Sequence, residues 1–147
     1  MLNFPPLSPM FSIPVRMYYE DTDAGGVVYY ASYLKFFERC RTEWVRSLGC
    51  DQAALLRDEG IVFVVRNVAV DYLAPGRLDD LLRIGLAVEK IGRARIDLLQ
   101  SAFRGDTPLV TGRVSIVTVC VTGEGADARI SAVPIPDSLR QKLESRP

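Results

Sequence analysis

Residues 30–49 read YASYLKFFERCRTEWVRSLG. Tyr30, Tyr33, Leu34, Phe37, Trp44 and Leu48 recur at helical spacing, with Arg39 and Arg46 between them. The apolar face is wide, which predicts one long, well-buried helix. Gly49 is a natural stop, because glycine takes the left-handed backbone that ends helices without steric cost. Asp51 then caps a short second helix through about Asp58.

Downstream the period changes from helical to alternating. Ile61 to Tyr72 is rich in valine, and Pro75-Gly76 turns it. Strands are expected over 81–91, 94–104 and 109–122, with Gly105-Asp106 as a hairpin between the last two. Because these strands follow one another without helices, the sheet should be antiparallel. A short terminal helix is expected over 136–144, with Pro136 in its first turn. Upstream, Phe11 to Tyr19 reads as a first strand, entered after a loose, proline-broken leader over residues 1–10. The fold class is therefore α+β, a single domain over 1–147 with about five strands and one long helix. One helix covers only part of one sheet face, so the reading predicts a homo-oligomer, a homodimer or homotetramer.

Composition narrows the chemistry. The chain has 147 residues, 48% of them hydrophobic, enough for a core without disulfides or metals. Eighteen basic and eighteen acidic side chains cancel, which argues against nucleic acid or an anionic membrane as a bulk partner. No segment is apolar enough over about 20 residues to insert in a bilayer. The histidine count is zero. This excludes Ser-His-Asp and Cys-His nucleophile systems, histidine bases and imidazole metal sites. Three scattered cysteines, Cys40, Cys50 and Cys120, fit reduced thiols and a cytoplasmic location. Cys40 falls in the helix pattern as a small buried apolar group.

The densest chemical stretch is Tyr18-Tyr19-Glu20-Asp21-Thr22-Asp23-Ala24-Gly25-Gly26-Val27-Val28-Tyr29-Tyr30. Three carboxylates precede two glycines and the start of the long helix. A helix start offers unpaired N–H groups and a positive dipole end, suited to a developing oxyanion. A carboxylate beside it can attack a carbonyl or deprotonate water. On spacing alone, the same carboxylates can simply shape a turn and cap the helix, and both readings stand at this level.

This stretch also carries a resemblance. The run from Asp21 to Tyr29, with Tyr33, Phe37-Glu38-Arg39 and Arg41-Thr42-Glu43, resembles the hotdog-fold acyl-CoA thioesterases. The closest branch is the 4-hydroxybenzoyl-CoA thioesterase group, including the thioesterases associated with the Tol-Pal system. The likeness continues through Asp71-Tyr72, Pro75, Asp80 and Glu89-Lys90-Ile91-Gly92, and so covers roughly Val15 to Val121.

The resemblance implies a curved antiparallel sheet wrapped around one helix, with active sites at dimer interfaces. It implies hydrolysis of an acyl-CoA thioester to acid and coenzyme A without any further cofactor. It places the catalytic carboxylate on Asp23 and an oxyanion-binding backbone N–H on Tyr30. Gly26 would let that backbone approach the thioester, and Tyr19 and Val27 would line the acyl pocket. Many Tol-Pal-associated members have histidine where this chain has Tyr30, so only the backbone role carries over. Glu38 is the reserve carboxylate, since related hotdog enzymes place one on this helix. Lys90, Arg93 and Arg95 surround Gly92 and can bind the phosphates of coenzyme A across a dimer, or form an ordinary charged hairpin. A hotdog dehydratase would need a catalytic histidine. The other class of reading is a non-catalytic module that binds acyl-CoA or acyl carrier protein.

Overall fold

A computed structural model describes residues 8–145. The expected leader over 1–10 falls mostly outside them. Strand β1 (Phe11–Arg16) gives way to a 3-10 turn at Tyr19–Asp21, so it is shorter than expected. Helices α1 (Ser32–Ser47) and α2 (Gln52–Glu59) follow. Then come β2 (Ile61–Tyr72), β3 (Leu81–Ile91), β4 (Arg95–Arg104) and β5 (Thr107–Thr122). The chain closes with β6 (Arg129–Ala132) and α3 (Asp137–Glu144). Strand β6 is a correction to the sequence reading. All four of its residues are exposed, so no alternating pattern marks it.

The buried face of α1 is Tyr33, Phe36, Phe37, Cys40, Trp44 and Val45. Three expected members are absent from it: Leu34 is exposed on the flank, Tyr30 precedes the helix, and Leu48 is its half-buried C-cap. Gly49 ends the segment with a φ of +83°, and the Asp51 carboxylate accepts from the Ala54 amide at 3.1 Å to start α2. The curled sheet runs β1-β3-β4-β5-β2, and every pairing is antiparallel. Short β6 pairs with the end of β5.

Helix α1 lies in the hollow of this sheet, where Leu82, Ile84, Leu86, Leu98, Val114 and Ile116 form one apolar cluster with it. Phe36 and Phe37 are fully buried there, and cutting either to alanine costs about 3–5 kcal/mol. Gln100 bridges helix and sheet: it donates to the Phe37 carbonyl at 3.0 Å and accepts from Arg41 at 2.8 Å. Burial pushes the Cys40 thiol up to about 12, so it acts as an apolar filler. The opposite sheet face is charged. Arg113 grips Glu89 through two bonds of 2.7 and 2.8 Å, and Arg83 lies 4.5 Å over the Phe103 ring.

Strand β2 sits at one edge with β5 as its neighbour. Its register shifts between Val65, opposite Ile116, and Asn67, opposite Ser115, so Arg66 bulges out of the ladder. Residues directly opposite share a face, so Val65 and Val68 lie on the helix side, opposite Ile116 and Val114. They are nevertheless 49% and 40% exposed. The stretch of residues 73–80 then carries the chain from this edge across to β3.

Among the described residues, no helix is long and apolar enough to cross a membrane.

Candidate active site

The loop before α1 is fixed by its own hydrogen bonds. Asp21 is buried. Its carboxylate accepts from the Tyr18 amide at 2.9 Å, and its carbonyl accepts from the Tyr29 amide at 2.8 Å. Asp21 therefore shapes the turn, as one of the two sequence readings allowed. The next turn closes on Asp23. Its amide donates to the Val27 carbonyl at 2.9 Å, and its carbonyl accepts from Gly26 at 3.0 Å. Gly26 has a φ of +78°, which is the left-handed region that favours glycine.

Unlike Asp21, Asp23 is exposed. Its Oδ1 accepts from the Gly25 amide at 2.8 Å, and Oδ2 takes no bond among the described residues. The loop is stitched to the β2–β3 connection, since the Val28 amide donates to the Gly76 carbonyl at 2.8 Å. Val27 also bridges to Arg77. The two segments enclose a cavity of about 350 Å³ lined by Asp23, Val27, Tyr30, Tyr33, Tyr72 and Leu73, among others. The Tyr30 N–H is unpaired among the described residues. The cavity thus combines a carboxylate with a free oxygen, a free N–H at a helix start and an apolar, aromatic wall.

The aromatic wall is continuous. Tyr30 meets Tyr72 edge-on with centroids 6.3 Å apart, and Tyr72 is 5.9 Å from Tyr33. Burial, then Tyr30, raises the Tyr72 hydroxyl above the ordinary phenol value. Burial does the same for Tyr33, whose oxygen accepts from the Gly76 amide at 3.2 Å.

Of the residues singled out in the sequence, Asp23, Val27 and Tyr30 come together here, with Gly26 in the turn beside them. Tyr19, expected to line the acyl pocket, does not line this cavity and is 81% exposed. Glu38 is exposed, accepts from Thr42 at 2.8 Å and lines a different cavity of about 140 Å³ with Arg41 and Val65. Glu43 pairs with Arg46 on the surface. Arg95 is engaged, donating to Asp97 at 2.7 Å and to Ser115 at 3.2 Å. Arg95 stands opposite Val117, whereas Tyr72 at the cavity stands opposite Val110. About 23 Å of strand separates the two levels. In one chain, then, Arg93 and Arg95 lie at the far end of the sheet from Asp23. A larger groove, of about 470 Å³, lies between α1 and α2, but its carboxylate, Asp51, is occupied in capping α2. The sequence reading missed Tyr33 and Tyr72 as site residues. Tyr72 had a signal, because it belongs to the Asp71-Tyr72 pair within the resemblance.

The profile of the thioesterase superfamily matches residues 25–116. The chain belongs to this superfamily. It is 46% identical over 111 residues to the acyl-CoA thioesterase YbgC of Haemophilus influenzae, covering 76% of this chain and 80% of that one. It is 44% identical over 112 residues to the acyl-CoA thioester hydrolase YbgC of Escherichia coli, covering 76% and 82%. In fold it is similar to a 4-hydroxybenzoyl CoA thioesterase mutant complexed with 4-hydroxybenzoyl CoA. That structure has a TM-score of 0.80 at 17% identity, with 89% of this chain and 96% of that one covered. The hotdog architecture expected from the sequence is therefore the observed one. Asp23 itself lies two positions before the matched region.

Proposed function

We propose that this protein hydrolyses an acyl-CoA thioester, with Asp23 as its catalytic carboxylate and the Tyr30 N–H as an oxyanion donor. The observation that carries this reading is the shared cavity, whose lining includes both the exposed Asp23 and Tyr30, the residue whose N–H is unpaired among the described residues. The identity to relatives named as acyl-CoA thioesterases supports it.

The chemistry follows from those two groups. The thioester carbonyl oxygen points at the Tyr30 N–H, where negative charge on it is stabilised as the carbon becomes tetrahedral. In one form, Asp23 Oδ2 attacks the carbon and the C–S bond breaks, giving a mixed anhydride and the thiolate of coenzyme A. Water then cleaves the anhydride and restores Asp23. In the other form, Asp23 takes a proton from water as that water attacks, and the proton passes to the departing thiolate. Both use the same geometry. A single turnover in oxygen-18 water that labels Asp23 identifies the anhydride route, with water attacking the aspartyl carbonyl and the unlabelled acid leaving.

The active unit is a homodimer or larger. Strand β2 is an edge strand, and Val65 and Val68 are exposed on the part of the helix-side face that α1 does not reach. A second copy would cover them. Arg93 and Arg95 then bind coenzyme A phosphates for the partner's site. The three free cysteines suit a cytoplasmic location.

The deciding experiment is thiol release from a panel of short-chain, long-chain and aromatic acyl-CoA substrates. Turnover is the expected result. Retention of the thioesters without hydrolysis would establish a binding module instead.

A further inference from the structure

The carbonyl of Tyr30 lies just before α1 and takes no part in the helix ladder. The Leu34 amide, its partner in a longer helix, donates to Ala31 at 3.2 Å instead. Ala31 is the N-cap and has no side-chain oxygen to hold the helix start. The backbone that presents the Tyr30 N–H is therefore pinned from elsewhere. The hydroxyl of Tyr72 donates to the Tyr30 carbonyl at 2.9 Å, across 42 positions of sequence.

We propose that Tyr72 is a positioning residue, whose hydroxyl holds the Tyr30 backbone so that its N–H stays aimed at the thioester oxygen. This rests on the hydrolytic reading above. The geometry of Tyr72 suits the task. Its ring is wedged between Tyr30 and Tyr33, and Tyr33 is itself only 3% exposed and tied to Gly76. A phenol carries one proton. Because Tyr72 gives that proton to Tyr30, it has none left for the oxyanion, and its effect on the reaction passes through the backbone. An ordinary phenol is already protonated at neutral pH, and burial raises this one further, so the bond persists where the enzyme works. A bond to a peptide carbonyl also polarises that peptide, which strengthens the neighbouring Ala31 N–H as a donor.

Tyr72→Phe in the full chain tests this, because it removes the hydroxyl and keeps the ring. The assays are steady-state hydrolysis of acetyl-CoA and benzoyl-CoA, and the amide NMR spectrum. The expected result is a kcat up to about tenfold lower on both substrates, the upper end of what one hydrogen bond contributes, with KM nearly unchanged. The Ala31 amide resonance moves. An unchanged kcat overturns the proposal. So does a loss confined to one substrate or to KM, which would make Tyr72 an acyl-pocket residue. An unmoved Ala31 amide overturns it whatever the kinetics. Wild-type protein inert on every acyl-CoA would instead sink the hydrolytic reading, and the catalytic half of this proposal with it.

Discussion

The Gly25 amide donates to Asp23 Oδ1 at 2.8 Å, and a methyl group on Gly25 would sit 3.2 Å from that same oxygen. One carboxylate oxygen is thus anchored and the other has no bond among the described residues. Asp23→Asn keeps the shape but loses the charge, and kcat should fall by roughly a hundredfold or more. Binding of a non-hydrolysable CoA analogue should survive. Gly25→Ala should lower kcat by about tenfold, because the added methyl displaces the carboxylate. Asp21→Asn, at the turn, should be the mildest of the three. Steady-state kinetics with circular dichroism as a folding control checks all of them. A folded Asp23→Asn with near wild-type rate would shift attention to Glu38.

Gly76 is packed from both sides. A Cβ there would lie 2.7 Å from the Tyr33 hydroxyl and 3.0 Å from Val28 Cγ2. Gly76→Ala should cost roughly 1–3 kcal/mol through overpacking. Adding Tyr33→Phe removes the nearer obstacle and should recover part of the loss. Chemical denaturation of the two single variants and the double variant reads the coupling. Strictly additive losses would show that the clash is relieved by other means.

The β2 edge makes a separate prediction about assembly. Val65→Lys or Val68→Lys puts a charge on the apolar face that a second copy is expected to cover. Light scattering should report the mass of one chain for the variants and at least two for the wild type. Activity should fall with the loss of association, since the coenzyme A cations would come from the partner. A wild-type chain that is monomeric and fully active contradicts this assembly.

Asp97 should govern stability in acid. Burial raises its carboxyl, but donation from Ser115 and Arg95 and the charges of Arg95 and Lys90 outweigh that, and the net shift is downward. A carboxyl depressed in the folded state contributes stability at neutral pH. That contribution is lost as pH falls below about 4, the ordinary carboxylate value, and through the folded one. Asp97→Asn should cost about 1.5 kcal/mol at pH 7, the low end for charge-assisted bonds because Arg95 is half exposed. The gap between variant and wild type should close in acid. Unfolding curves from pH 3 to 7 measure it, and a gap that stays constant would rule out the carboxylate as its source.

Much of the fold was legible because it rests on local patterns. The valine-rich and alternating runs located β2 and β3 to the residue, and Gly49, Asp51 and Gly105 each bounded an element through a backbone property of one residue. The phase of α1 was read less well. Leu34 looks as apolar as Phe36, and only the shape of the sheet decides which of them is buried. Strand β6 was invisible, since pairing with β5 and not side-chain burial defines it. The site divides in the same way. Asp23, Gly26 and Val27 are contiguous and could be read together. Tyr33, Tyr72 and Leu73 reach the same cavity through a pairing between distant segments, which no spacing along the chain encodes. Arg95 looked available as a free cation although its ion-pair partner Asp97 lies only two positions along the strand; its second partner, Ser115, lies 20 positions away.

The bulge at Arg66 decides which way the end of β2 looks. Phe63 and Val70 both pack against the core, yet in an unbroken strand residues seven apart point in opposite directions. The extra residue resets the alternation, and everything after it changes sides. Tyr72 inherits that reset and, with Val70, faces the helix rather than the charged outer surface. Removing Arg66 would leave the composition of the strand almost untouched while turning Tyr72 away from Tyr30. The contact between Tyr72 and the Tyr30 backbone is therefore written as an odd or even count along an edge strand, several residues from where the two meet.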